Sequence, residues 1–154
     1  KRVPIAGGCR LGGYQRYAAS KSAIEAIHES LSHEVKTFGI KVLIVEPGAF
    51  RTPFSSGIIT PAQYEDRNGF SDAYKGTVVE QMVSGSRNIT SIPDFVKGDP
   101  DKAAHVIVNA VVGGHEYLRM PLGSDCVQAL ETKIGELQSD LEATRAIATA
   151  MDAD

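Results

Sequence analysis

The chain has 154 residues, 42% hydrophobic and 23% charged, the balance of one globular domain with material for a core, which excludes a disordered tail. A net charge of -3 and a pI of about 5.8 leave no basic footprint for nucleic acid or an anionic membrane, and lysine and arginine are scattered rather than blocked. The strongest apolar run, Val42 to Val45, is far too short to span a bilayer. Cys9 and Cys126 lie far apart with no CxxC, which fits two thiols of a reducing compartment better than one long-range disulfide. The expectation is a soluble, cytoplasmic protein.

The sequence opens on KRVPIAGG without a methionine, which predicts either processing or a piece of a longer polypeptide. Residues 7–16, GGCRLGGYQR, read as a glycine-rich loop. From Tyr17 to about Phe38 the pattern is helical. Ile24, Ile27, Leu31, Val35 and Phe38 recur at steps of three and four, and Glu25, Glu29 and Glu34 fall mostly off that stripe. Gly39 stands where a left-handed helix cap is wanted. KVLIVEPG follows, and its unbroken Val-Leu-Ile-Val is the signature of a strand buried on both faces of a parallel sheet. Pro47-Gly48 ends it.

Residues 50–70 read as a long loop, 71–84 as a helix, and the stretch to Gly98 as irregular. Asp99-Pro100 is a strong helix start, a capping carboxylate followed by proline at the first position. Ala103, Ala104, Ile107, Val108 and Val111 form the predicted buried face of this helix, and Gly113-Gly114 stops it. EYLRMPLG reads as a short last strand. Val127, Leu130, Ile134, Leu137 and Leu141 then mark a final helix, too short for a coiled coil and suited to docking on its own domain or on a dimer mate.

Tyr17 and Lys21 stand four positions apart at the start of the first helix, so they share a face. A phenol titrates near ~10 and is a poor proton carrier at neutral pH. An ammonium at ~4 Å in a partly buried site favours the phenolate by up to ~4 kcal/mol at an effective dielectric near ~20. That suffices to make Tyr17 a proton donor to a carbonyl or an acceptor from an alcohol. The bland alternative is a tyrosine packed at a helix start and a lysine in solvent. The four histidines, His28, His33, His105 and His115, lack metal-ligand spacing, and no Gly-x-Ser-x-Gly nucleophile elbow occurs.

The stretch YAASKSAIEAIHESLSHEVKTFGIKVLIVEPGAFRT resembles the second half of the short-chain dehydrogenase/reductase family. The match runs from the Tyr-x-x-x-Lys helix start, through Gly-Ile before the strand, to Pro-Gly-x-x-x-Thr after it, and covers about Ile5 to Thr52. The resemblance implies an α/β, Rossmann-like parallel sheet with flanking helices, with the N-terminal half of the doubly wound fold missing. It implies hydride exchange between NAD(P), with NADP slightly ahead, and an alcohol or carbonyl. Tyr17 becomes the catalytic acid/base. Lys21 lowers its pKa and binds the nicotinamide ribose, Pro47 and Gly48 line the nicotinamide pocket, and Thr52 contacts the carboxamide or phosphate. Residues 1–52 then form the catalytic helix and strand, 53–98 a substrate lid, and 99–154 the closing helix, strand and terminal helix. Phe50, Phe54, Ile58, Ile59, Tyr64 and Phe70 in or beside the lid point to an apolar alcohol or ketone, with a loop folded on its own core as the equal alternative. Association as a homo-oligomer or with a partner subunit is implied too.

Two departures qualify this. The family's catalytic serine stands thirteen residues before the tyrosine, where this chain has Pro4. Proline has no side-chain donor and no N–H, and Ser20 faces elsewhere. The glycine-rich dinucleotide turn has no counterpart, since GGCRLGG follows no full strand. The 154 residues alone are therefore expected to show negligible dehydrogenase activity, and a non-catalytic relative acting as an association module stands as the alternative.

Overall fold

A computed structural model describes residues 15–54, 57, 70–88 and 96–152. Pro4, Cys9, the glycine-rich loop up to Tyr14, and Ile58, Ile59 and Tyr64 lie outside the described residues.

Helix α1 spans Gln15–Val35 and tightens into a 3₁₀ turn at Lys36–Phe38. Gly39 ends it at φ 71°, its N–H bonded to the Lys36 carbonyl, the left-handed stop that the sequence calls for. Strand β1 covers Ile44–Pro47, and helix α2 Val78–Asn88. Helix α3 runs Pro100–Val112, strand β2 Arg119–Leu122, and helix α4 Ser124–Thr149. The strands pair in parallel, with Ile44 opposite Arg119 and Pro47 opposite Leu122. This is an α/β fold, a small parallel sheet flanked by helices, and the connection between its strands carries α2 and α3, as a parallel pair requires.

Three expectations need correction. The predicted strand shortens to its second half, because the ladder with β2 is four residues long. The helix expected at 71–84 begins later. A 3₁₀ turn at Asp72–Tyr74 comes first, and the following turn through Gly76 delays regular helix until Val78. The apolar stripes are less covered than their periodicity demands, since Ile27, Phe38, Val108, Val111, Leu137 and Leu141 are all exposed. Among the described residues the buried apolar side chains are Ile44, Phe70, Met120 and Cys126, and the buried charged ones are Glu25 and Glu46. The Cys126 thiol donates to the Glu46 carbonyl at 3.3 Å, fixing the start of α4 to β1.

Asp99 caps α3 as its sequence predicts, accepting from the N–H groups of Asp101 and Lys102 at 3.0 and 3.3 Å. The Lys102 N–H above all, then the Asp101 N–H and the positive charge of Arg51, hold its carboxyl below the usual aspartate range against the opposing effect of desolvation. Among the described residues no helix is long and apolar enough to cross a membrane.

Candidate functional site

Tyr17 and Lys21 lie in the first two turns of α1, both half-buried. The Lys21 amine is 5.4 Å from the centroid of the Tyr17 ring, within cation–π range. Tyr17 also meets Phe54 edge-on, with ring centroids 6.3 Å apart and planes at 61°. That contact joins the start of α1 to the segment just beyond Thr52, although the two lie far apart in sequence. The Ser20 hydroxyl turns back and donates to the Tyr17 carbonyl at 2.7 Å, a helix-internal bond that takes it away from the pair.

The loop after β1 is held by its backbone. Gly48 N–H donates to the Leu122 carbonyl at 2.8 Å, continuing the ladder past the last strand residue. Ala49 N–H donates to Asp125 Oδ2 at 2.6 Å. Gly98 N–H donates to the Ala49 carbonyl at 3.2 Å, and Arg51 N–H to the Gly98 carbonyl at 2.9 Å, so Phe50 and Gly98 form a parallel bridge. Arg51 also reaches Asp99 at 3.4 Å, and Thr52 Oγ1 donates to the Phe50 carbonyl at 3.4 Å. Gly48 allows a close approach, because a Cβ there would run into the Asp125 carboxylate. Ala49, Lys97, Gly98, Gly123, Ser124 and Asp125 line a cleft of about 190 Å³ beyond the carboxyl ends of both strands, the side on which open parallel sheets bind ligands.

A partly buried ionic cluster fastens α1 to this sheet. Arg119, at the start of β2, reaches Glu46 of β1 at 2.8 Å, and Glu29 and Glu25 of α1 at 2.8 and 3.5 Å. Burial pushes the Glu25 carboxyl up from its ordinary range and repulsion from Glu46 adds to this, with Arg119 opposing both. Burial also disfavours the charged Arg119, but hydrogen bonds and attraction from Glu46 and Glu29 outweigh it and hold the guanidinium above its ordinary value.

Of the sequence-selected residues, Tyr17 and Lys21 are neighbours, Pro47 ends β1, and Gly48 and Thr52 lie in the loop that follows it. Tyr17 approaches that loop's continuation at Phe54. Sequence reasoning missed Asp125, Gly98 and the Arg119 cluster. An acidic residue in the first turn of α4, right after a strand and glycine, was the available signal for Asp125.

A family model described as short chain dehydrogenase matches residues 4–62. The oxidoreductase claN of Passalora fulva is 44% identical over 71 residues, 46% of this chain and 29% of that protein. The 17-beta-hydroxysteroid dehydrogenase type 6 of Mus musculus is 32% identical over 99 residues, 56% of this chain and 31% of that protein. The crystal structure of a short-chain dehydrogenase from Streptomyces avermitilis superposes with a TM-score of 0.71 at 32% identity, covering 97% of this chain and 50% of that one. The chain spans about a third of the length of these two curated relatives. Residues 4–62 match the short-chain dehydrogenase family model, and nearly the whole chain is similar in fold to one half of a short-chain dehydrogenase.

Proposed function

We propose that this chain contributes the acid–base residues of an NAD(P)-dependent oxidoreductase acting on an apolar alcohol or ketone. The reading rests on one observation, the Lys21 amine 5.4 Å from the centroid of the Tyr17 ring. A phenol beside a cation is the proton carrier that such a reaction needs at neutral pH. A bound nicotinamide cofactor supplies hydride to a carbonyl carbon, or takes it from an alcohol carbon. Tyr17 gives its hydroxyl proton to the carbonyl oxygen in the first direction and accepts the alcohol proton in the second. Lys21 stabilises the phenolate that remains and donates to the nicotinamide ribose.

The residues at hand fit the nicotinamide end of the cofactor. Tyr17 and Lys21 sit side by side, Pro47 ends a parallel strand, and Gly48 and Thr52 belong to the backbone just past it. Phe54 and Phe70, with the steroid named for one relative, support an apolar substrate. NADP is set ahead of NAD, and residues 1–52, 53–98 and 99–154 act as catalytic segment, lid and closing segment. The protein works as a homo-oligomer or beside a partner subunit, a role that the uncovered stripes of α1 and α4 favour.

The test is NADPH and NADH oxidation by the purified protein with a panel of apolar ketones. Tyr17→Phe is expected to lower turnover by about 100-fold or more, the usual worth of a positioned acid. Equal turnover in the variant sinks the reading. A second reading, a non-catalytic association module, is favoured by Pro4 in the serine position. It predicts no turnover and no rise in melting temperature with either cofactor.

A further inference from the structure

We infer that Asp125 is a positioning residue, setting the backbone of the Gly48–Thr52 loop for the nicotinamide end of the cofactor; this rests on the oxidoreductase reading above. The argument begins with the Ala49 peptide, which is fixed at both of its polar atoms. Its N–H donates to Asp125 Oδ2 at 2.6 Å, and its carbonyl accepts from Gly98 N–H at 3.2 Å. The first is a hydrogen bond to a carboxylate, stronger than a neutral one. The two bonds clamp the residue between Gly48 and Thr52, both read as cofactor contacts.

The same carboxylate accounts for glycine at two further positions. A Cβ at Gly48 would run into it, and one at Gly123 would come within 2.6 Å of Asp125 Oδ1. Gly48 is therefore glycine to admit Asp125, and its approach to a nicotinamide ring follows from where that carboxylate fixes the loop. Asp125 lies in the first turn of α4, and the neighbouring Cys126 thiol is bonded to the Glu46 carbonyl at 3.3 Å. The start of the terminal helix thus grips β1 just before Pro47 and just after Gly48. The aspartate touches no reacting atom; it acts through Ala49.

The experiment measures Kd for NADH and NADPH by fluorescence, and hydrogen exchange at the Ala49 amide, in the purified protein and three variants. Asp125→Ala is expected to weaken cofactor binding about tenfold, the low end for losing a hydrogen bond to a charged group, and to speed exchange at Ala49 but not within β1. Asp125→Asn keeps an acceptor oxygen and is expected to restore most of both. Asp125→Glu keeps the charge but carries its oxygens one methylene farther, and is expected to behave like Asp125→Ala. If Asp125→Ala does not fold, the contrast between the Glu and Asn variants carries the test. Unchanged cofactor affinity in a folded Asp125→Ala, or equal affinity in the Glu, Asn and wild-type proteins, overturns the inference alone. A wild-type protein that binds neither cofactor defeats the oxidoreductase reading, and the positioning role with it.

Discussion

Helix α1 is fastened on one flank and bare on another. Tyr17, Lys21, Glu25 and Glu29 follow one another at steps of four, the ridge of a helix surface. Its later half is held by Arg119 and, through it, by Glu46. Several apolar positions behave oppositely, with Ile27 62% and Phe38 77% exposed while Glu25 is only 8% exposed. Periodicity identifies the flank that wants an apolar neighbour. Among the described residues, what orients the helix is charge. Since Tyr17 and Lys21 continue the ridge that Arg119 grips, the ionic cluster also fixes where the proposed acid–base pair points.

Removing Arg119 should break that arrangement most severely. Arg119→Met keeps the aliphatic stem and leaves Glu46 and Glu25 buried without their cation. Stripping one partner from a buried ion pair costs about 3–5 kcal/mol; with Arg119 partly exposed, about 3 kcal/mol is expected. The check is a urea unfolding midpoint, with cofactor binding measured below the transition. A midpoint close to wild type would mean that the cluster does not hold α1.

Glu25→Gln should sharpen the same point through its pH dependence. The folded state raises the Glu25 carboxyl above its unfolded value, because burial and then Glu46 disfavour its charge. Between the two values the folded chain binds more protons than the unfolded one, so stability falls as pH rises through that window, and the penalty is complete above it. Glutamine removes the penalty, and its amide N–H offers a donor where Glu25 Oε1 and Glu46 Oε2 are buried without a hydrogen-bond partner among the described residues. Unfolding at pH about 8 should show the variant more stable than wild type by about 1 kcal/mol, the lower cost of an unsatisfied buried group. Near pH about 4 the gain should vanish or reverse. A gain that is the same at both pH values would mean that Glu25 does not titrate with folding.

Local chemistry was legible in the sequence and long-range chemistry was not. Gly39 and Asp99-Pro100 act through atoms within four residues of themselves, so the sequence announces them. The Tyr17–Lys21 pair is legible for the same reason, one turn of helix. Glu25 lies off the apolar stripe, yet it is buried, because its cation lies on a strand more than ninety positions later. Asp125 was hidden in the same way, its partner Ala49 being 76 positions earlier. The helix expected at 71–84 starts late, at Val78, because the 3₁₀ segment and the turn through Gly76 hold off regular hydrogen bonding.

The smallest effect belongs to the bare flank. Ile27→Lys places a charge where the side chain is already 62% exposed, with no cavity and no severed bond, and such substitutions usually fall within about 0.5 kcal/mol. Lysine is also as good a helix former as isoleucine or better. The unfolding midpoint of the 154-residue chain should therefore stay near wild type, in contrast with Arg119→Met. Its state of association is the sharper readout, because an exposed apolar row is what a second chain or subunit would cover. Analytical ultracentrifugation of wild type against Ile27→Lys should show weaker association at unchanged stability. A large loss of stability in the monomer would mean that the apolar flank is covered within the chain itself, and would reverse the contrast between the two sides of α1.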